Sequence, residues 1–300
     1  TGQDQKAIPY YEEALRRNPR FPTALINYAT ALTDIRRAVK VLESAPQDAA
    51  TLNALGSAYL RINRPDQAVT TLRRALNIDP DLPEVYVNLG TAFSRRGNQV
   101  EAINALQSAI RLSPALSAAH SNLANLLDER GDFALAQYHF RKAIAADRGN
   151  AVAHYSYGRV LVQRKMYEEA ASELKSALEL DPLMAEAATS LAMALERNGQ
   201  SHAAIEYYRR AIQIKPRLST AHFNLGLALL RQGSHSEARE QFEIVIQSDP
   251  NDYQAHLHLG NILLSEGNDR AAAIHLRKAS QSPRADLRAA ALTALERIKP

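Results

Sequence analysis

The chain has 300 residues, of which 46% are hydrophobic, and a formal net charge of +4. It contains no cysteine, which excludes disulfide bonds, thiolate nucleophiles and cysteine-based metal sites. No uninterrupted apolar run approaches the roughly 20 residues that a membrane-spanning helix needs, so we expect no membrane segment.

Residues 1–21 are predicted to hold one helix, over residues 3–17, and Pro19 ends the segment. One stripe of this helix is apolar, with Ala7, Tyr11 and Ala14. The segment reads as the second half of a two-helix unit. We therefore expect the chain to be a piece of a longer protein.

Residues 22–48 form a shorter unit. Pro19 and Pro46 are 27 residues apart, against a step of 34 further along the chain. If Ala38 and Leu42 lie on the stripe of a second helix, three residues are missing before this helix and four before Pro46. Either the repeat is truly short or residues are absent from this stretch, and the sequence leaves both explanations open.

From residue 49 the sequence repeats every 34 residues. Small residues mark one position of each unit, at Gly56, Gly90, Ala124, Gly158, Ala192, Gly226 and Gly260. Alanine marks another, at Ala68, Ala102, Ala136, Ala170, Ala204, Ala238 and Ala272. Seven full repeats follow from this step: 49–82, 83–116, 117–150, 151–184, 185–218, 219–252 and 253–286.

Each repeat is predicted to contain a helix, a turn and a second helix. In residues 83–116, Leu89 and Phe93 lie on one helical face, and Gly97 ends the helix, as glycine often does just past a helix C-terminus. Ala102 and Leu106 then form the stripe of the second helix. Two such helices cannot bury their stripes alone, so neighbouring repeats must stack.

The last predicted element is a cap helix over residues 285–298. Its apolar stripe is expected to contain Leu287, Ala291, Leu292 and Leu295, with charged residues between them. We expect this helix to cover the final repeat and to present a polar face to water.

The repeats resemble the tetratricopeptide repeat (TPR) in their pattern of residue types. The first helix carries a large residue, leucine, a small residue and a large residue. The second carries alanine, leucine or an aromatic residue, and alanine, and proline follows it. The resemblance covers nearly the whole chain. It implies an all-α fold, a right-handed α-solenoid of antiparallel helix pairs whose first helices line a concave groove. The position that is often tryptophan in the family instead holds Leu52, Tyr86, His120, His154, Ala188, His222 and His256. In this respect the chain is similar to the superhelical TPR region of O-GlcNAc transferases.

The sequence contains none of the common catalytic motifs. A glycine-rich phosphate loop, H-E-x-x-H and G-x-S-x-G are all absent. We therefore expect neither catalysis nor a cofactor in this chain. Four histidines share one repeat position, but equivalent helices in adjacent repeats lie about 8–10 Å apart per helix contact, too far to share a metal ion. We predict that His120, His154, His222 and His256 are packing residues.

Arginines recur near the ends of the first helices, at Arg61, Arg95, Arg197 and Arg231. A helix C-terminus favours cations in any case, and Asp128, Glu129 and Glu196 interrupt the row. The sequence therefore does not favour nucleic acid as the partner. The fifth position of the repeats lacks the lysine of chaperone-binding TPR domains, so an acidic chaperone C-terminus is not expected either.

Asparagine is frequent at positions that the packing stripe leaves free. The sixth position holds Asn27, Asn88, Asn122 and Asn224, and the ninth holds Asn125 and Asn261. An asparagine amide both donates and accepts hydrogen bonds, which suits a peptide backbone. The row resembles the asparagine ladder of the O-GlcNAc transferase superhelix, although Ala54, Ser156, Ser190 and His258 interrupt it. The alternative is that asparagine is only a tolerated polar residue on an exposed face.

A second set of free positions is apolar. Phe223, Leu227 and Leu230 are spaced i, i+4 and i+7, so they share one helix face. Other repeats contribute Tyr155, Met193, Leu257 and Leu264. Exposed apolar patches usually mark binding surfaces.

The sequence thus predicts a non-catalytic protein-interaction scaffold that binds a protein or an extended peptide in its groove. Two alternatives stay open. One is self-association, and the other is a substrate-recruiting arm of a larger enzyme such as a glycosyltransferase. The sequence does not indicate a cellular compartment.

Overall fold

Helices connected by short turns account for the regular structure of the chain. The computed structural model describes the backbone of residues 2–298 and the side chains of residues 6–298, and this part of the chain contains eighteen helices and no strand. The fold is therefore an all-α solenoid, as predicted. It divides into two compact units, Thr1–Ala153 and His154–Pro300.

The helices follow the 34-residue step of the sequence. The first nine are α1 (Gly2–Arg17), α2 (Pro22–Ala31), α3 (Ile35–Glu43), α4 (Ala49–Arg61), α5 (Pro65–Ile78), α6 (Pro83–Arg95), α7 (Gln99–Leu112), α8 (Ser117–Glu129) and α9 (Phe133–Ala146). The next nine are α10 (Ala151–Gln163), α11 (Tyr167–Leu180), α12 (Ala185–Arg197), α13 (Ser201–Ile214), α14 (Ser219–Gln232), α15 (His235–Ser248), α16 (Tyr253–Ser265), α17 (Asp269–Ala279) and α18 (Ala285–Glu296). From α2 to α17, even-numbered helices are the first helices of the repeats and odd-numbered helices are the second.

Close packing between the two helices of a repeat explains the recurring glycine. A Cβ atom added to Gly56, Gly90, Gly158, Gly226 or Gly260 would lie within 2.5–2.9 Å of the side chain at one position of the second helix. This position holds Leu72, Leu106, Leu174, Phe242 and Leu276. The large side chain therefore fills the space that the missing methyl group leaves, and this packing offsets the low helix propensity of glycine.

The turn inside each repeat requires a left-handed residue. Gly97, Gly131, Gly199, Gly233 and Gly267 all have positive φ values. At the same repeat position, Asn63 (φ 56°) and Lys165 (φ 62°) adopt this conformation without being glycine. In the repeat of Lys165, the next amide, of Met166, donates to the Leu161 carbonyl at 2.9 Å, which closes the end of the helix. The backbone geometry of the turn is thus constant although its residue varies.

The repeat at 22–48 contains two short helices. Its first helix has 10 residues and its second has 9, whereas α4 and α5 have 13 and 14. The Asp34 carboxylate accepts hydrogen bonds from the Arg36 and Arg37 amides and so begins α3 soon after α2 ends. The pair nevertheless packs on α1 and on α4.

The C-terminal helix α18 contacts α16 and α17. Its buried residues are Ala291 and Ala294. The predicted stripe is wrong at Leu292, whose side chain is 49% exposed. Successive residues of an α-helix are about 100° apart around its axis, so Leu292 points away from the side that Ala291 and Ala294 bury. Among the residues described, none of the helices combines the length and apolar character needed to cross a membrane.

Candidate functional site

The first helices form a face of their own in each unit. In the first unit, α2 contacts α4, α4 contacts α6, and α6 contacts α8. In the second unit, α12 contacts α14, and Phe223 of α14 reaches His258 of α16 with ring centroids 5.9 Å apart. We call the surface that these helices present away from their second helices the first-helix face.

In the first unit, the asparagine row makes hydrogen bonds between repeats. The Asn88 amide donates to Asn53 Oδ1 of the preceding repeat at 2.8 Å, and the Asn122 amide donates to Thr91 Oγ1 at 3.2 Å. These bonds were not predicted from the sequence. The partner residues stand 35 and 31 positions earlier in the sequence, close to one repeat length. This spacing could have indicated the bonds from the sequence.

These bonds use only part of the capacity of each amide. An asparagine side chain has two N–H donors and an oxygen with two acceptor sites. Asn88 and Asn122 each use one donor in the bonds described above. Both side chains are half-buried, so their remaining groups lie at the surface of the first-helix face. Asn27, further along the same face, is exposed.

A cleft of about 170 Å³ opens between α6 and α8. Asn122 and Asn125 line it, together with Gly90, Thr91, Ser94, Arg95, Leu106, Leu126 and Glu129. Asn125 donates to the Ser121 carbonyl at 3.0 Å. The cleft is thus bordered by hydroxyl and amide groups, with one positive and one negative side chain.

In the second unit, the first-helix face is mostly apolar. Phe223, Leu227 and Leu230 are half-buried on α14, and Met193 of α12 is 36% exposed. Tyr155 and Leu264 are also half-buried. Leu257 is only 7% exposed and belongs to the core, so little of its side chain is available to a ligand.

Three rings form a cluster on this face. Phe223 packs edge-on against Phe242 and His258, and His258 stacks on Phe242 at a centroid distance of 5.2 Å. Burial disfavours the imidazolium form and lowers the pKa of His258. His258 interrupts the asparagine row of the sequence, and in the structure its ring packs against Phe223 and Phe242.

Two asparagines border the apolar face of the second unit. Asn224 is half-buried on α14 and Asn261 is exposed on α16. Neither side chain has a hydrogen-bond partner among residues 154–298. The face therefore combines apolar side chains with amide groups that are free to bind a ligand.

The four histidines of the first helices are buried, as predicted, and each pairs with a residue of the second helix 19 positions later. His120 Nδ1 lies 2.9 Å from His139 Nδ1, and its Nε2 donates to the Pro114 carbonyl. The equivalent pairs are His154 with Glu173, His222 with Gln241, and His256 with His275. The 19-residue spacing recurs in four repeats and could have been found in the sequence.

Acid is expected to weaken the fold through these pairs. Burial lowers the pKa of His139, His256 and His275 below the ordinary value of 6.5, and the neighbouring histidine lowers those of His139 and His275 further. The folded protein then binds fewer protons than the unfolded chain just below pH 6.5. The stability that depends on these histidines being neutral is therefore fully present above about pH 6.5. It is lost as the pH falls from there through the lowered pKa values.

Denaturant titrations between pH 7 and pH 5 measure this effect. Glutamine is the matched replacement at His139 and His275, because Gln241 holds the equivalent position and lies 2.8 Å from His222. We expect the His139→Gln and His275→Gln double variant to lose less stability on acidification than the unsubstituted protein. An unchanged pH dependence would show that the histidine pairs are not responsible.

Two arginines of the predicted row make contacts within the fold. Arg95 donates to the Leu60 carbonyl of the preceding repeat, and Arg231 pairs with Glu196. Within the described part of the chain, no group of three or more His, Asp or Glu side chains is arranged to hold a metal ion.

Comparisons with known proteins identify the same architecture. A tetratricopeptide repeat family model matches residues 87–151, 121–181, 158–219 and 220–286, and a TPR repeat model matches residues 56–97. A search of curated protein sequences gives no match.

Several solved structures share the fold. One is the APC/C hetero-tetramer Cut9–Hcn1, with a TM-score of 0.70 and 18% identity over 86% of this chain and 52% of that one. The human IFIT1 dimer with m7Gppp-AAAA has a TM-score of 0.67 and 19% identity, over 99% of this chain and 78% of that one. PilF of Pseudomonas aeruginosa has a TM-score of 0.62 and 23% identity, over 66% and 90%. The chain spans about half the length of the Cut9–Hcn1 chain that it matches, and identities this low establish the fold alone.

Proposed function

Because this chain belongs to the tetratricopeptide repeat family, whose members commonly mediate protein–protein interactions, we propose that it is a non-catalytic scaffold that binds an extended polypeptide segment on its first-helix face. The observation that carries the proposal is the composition of this face in the second unit. Phe223, Leu227 and Leu230 remain half-buried there, beside the amide of Asn224, which has no partner in the described unit.

Each unit offers its own contacts to such a segment. The apolar side chains of α14 would take apolar side chains of the ligand, since burying such surface is favourable. In the first unit, Asn122 and Asn125 border the cleft, and the Asn122 amide would bind backbone groups of the ligand. An extended segment suits either unit, because its backbone groups are not engaged in helical hydrogen bonds.

The proposal is tested with a peptide-library selection on the immobilised full chain, followed by fluorescence anisotropy with the selected peptides. The informative variant is the Leu227→Ser and Leu230→Ser double substitution, which leaves the Phe223 ring cluster intact. Both leucines are half-buried in the free protein, so we expect a loss of about 1.5–3 kcal/mol in binding, roughly tenfold to a hundredfold in affinity.

The matched control is the Leu180→Ser and Leu183→Ser double substitution. These leucines are 43% and 75% exposed and lie on and just after a second helix. The control should keep the affinity of the unsubstituted protein. Equal losses in the two double variants, or a chain that sediments as a dimer and dissociates with Leu227→Ser, would contradict the proposal.

The asparagine row has its own test in the same assay. Asn224→Ala removes an amide without removing a bond inside the protein, and a net hydrogen bond is worth about 0.5–1.5 kcal/mol. We expect a loss of roughly twofold to tenfold in affinity. Asn77→Ala, at an exposed position of α5, is the control. If Asn224→Ala binds the peptide with unchanged affinity, asparagine is only a tolerated polar residue on this face.

A further inference from the structure

A second cleft of the first unit lies between the repeat at 22–48 and the repeat that follows it. It has a volume of about 380 Å³ and is bordered by α3, the end of α4 and the turn before α5. Three cationic side chains line it, those of Arg36, Lys40 and Arg64. The only acidic side chain among its lining residues is Glu43.

The cations of this cleft are not neutralised within the fold. In the described part of the first unit, Arg36, Lys40 and Arg64 make no ion pair. Arg64 uses one nitrogen to donate to Gln67 Oε1 at 3.0 Å, which leaves its other N–H groups free.

Glu43 is held by a tyrosine instead of a cation. The Tyr59 hydroxyl donates to Glu43 Oε1 at 2.7 Å, and burial together with Glu43 raises the pKa of Tyr59 to about 12. The tyrosine therefore remains protonated at neutral pH and keeps donating to the carboxylate. The cleft as a whole retains an excess of positive charge.

The three cations are particular to this part of the chain. With Ala38 and Leu42 aligned on Ala68 and Leu72, Arg36 takes the place of Asp66, and Lys40 that of Thr70. Arg64 precedes α5 at a position that later repeats fill with Asn98, Asp132, Met166, Gln200, Ser234 and Asn268. Repeat packing alone therefore does not require cations at these three positions.

We propose that this cleft binds a phosphate monoester. The cleft holds two guanidinium groups and one ammonium group against one carboxylate. Its net positive charge complements a phosphate monoester, which carries close to two negative charges near neutral pH. Guanidinium groups match the geometry of phosphate oxygens and donate to them in pairs. The phosphate group belongs either to a small metabolite or to a phosphorylated side chain, and both present the same chemistry to the cleft.

The test uses methyl NMR of the full chain, because Val39 and Ile62 line the cleft and report on it directly. The probes are O-phosphoserine, serine and acetate at matched ionic strength, and a five-residue peptide with a central phosphoserine. We expect saturable shifts of the Val39 and Ile62 methyl signals with the two phosphorylated probes only. Tighter binding of the peptide identifies a phosphorylated side chain as the source, and equal binding identifies a small molecule.

Arg36→Gln and Arg64→Gln should each weaken O-phosphoserine binding by about tenfold, the effect of removing one hydrogen bond to a charged group. Arg111→Gln is the matched control, because it removes the same charge from an exposed position outside this cleft. Affinity should also fall at pH 5, where the phosphate monoester carries one negative charge. Shifts that do not saturate, equal binding of acetate, or an equal loss with Arg111→Gln would overturn the proposal.

Discussion

Replacing Phe140 by alanine is expected to lower the free energy of unfolding of the first unit by about 3–5 kcal/mol. The Phe140 side chain is completely buried on α9, at the position that holds a large side chain against the first helix in every repeat. Truncation removes the whole aromatic ring and leaves a cavity beside α8, which packs on α9 and cannot relax enough to close it.

Tyr138→Ala on the same helix is the matched control. The Tyr138 ring is 52% exposed and contacts His139 and Lys142, so its removal should cost under about 1 kcal/mol. Urea denaturation followed by circular dichroism measures both variants. If Phe140→Ala and Tyr138→Ala destabilise the protein equally, burial at the repeat position does not determine its stability.

Gly90→Leu is expected to destabilise the first unit by about 3 kcal/mol, the upper part of the usual range for overpacking. A Cβ atom at residue 90 would lie 2.7 Å from Leu106 Cγ and 3.3 Å from the Ala102 carbonyl oxygen. The Leu106 side chain could rotate away, but the Ala102 carbonyl oxygen cannot move without displacing α7. The higher helix propensity of leucine offsets only about 1 kcal/mol of this cost.

A double variant separates overpacking from other effects. Adding Leu106→Ala to Gly90→Leu makes room for the new side chain, so the two changes together should destabilise the protein less than the sum of the separate effects. Ala134→Leu, at an exposed position of α9, controls for the added apolar surface. Additive losses in the double variant would contradict the close approach of α6 and α7 at this position.

The 34-residue step was enough to predict the helix pairs, because each strongly marked position has one physical cause. Gly90 is small because Leu106 fills its space, and Gly97 is glycine because the turn is left-handed. Lys165 shows the limit of this reasoning, since the same turn forms there without glycine. A residue type that recurs at one repeat position shows what that position favours, but other residues can still occupy it.

The candidate site was harder to predict than the fold, because its residues have two sets of possible partners. Asn88 and Asn122 look free on a single helix, yet they bond to the preceding repeat. The repeat position of Leu257 predicts an exposed side chain, yet it is 7% exposed. Helical periodicity describes one helix at a time, whereas contacts between repeats depend on how the helices stack.

The central claim is that an extended ligand binds to the first-helix face while the second helices support the stack. A leucine-methyl NMR titration of the full chain with a selected peptide tests it most directly. We expect the signals of Leu227, Leu230 and Leu264 to shift in a saturable manner, while those of the exposed Leu180 and Leu183 stay in place. Shifts confined to Leu180, Leu183 or Leu292, with Leu227 and Leu230 unchanged, would contradict the claim.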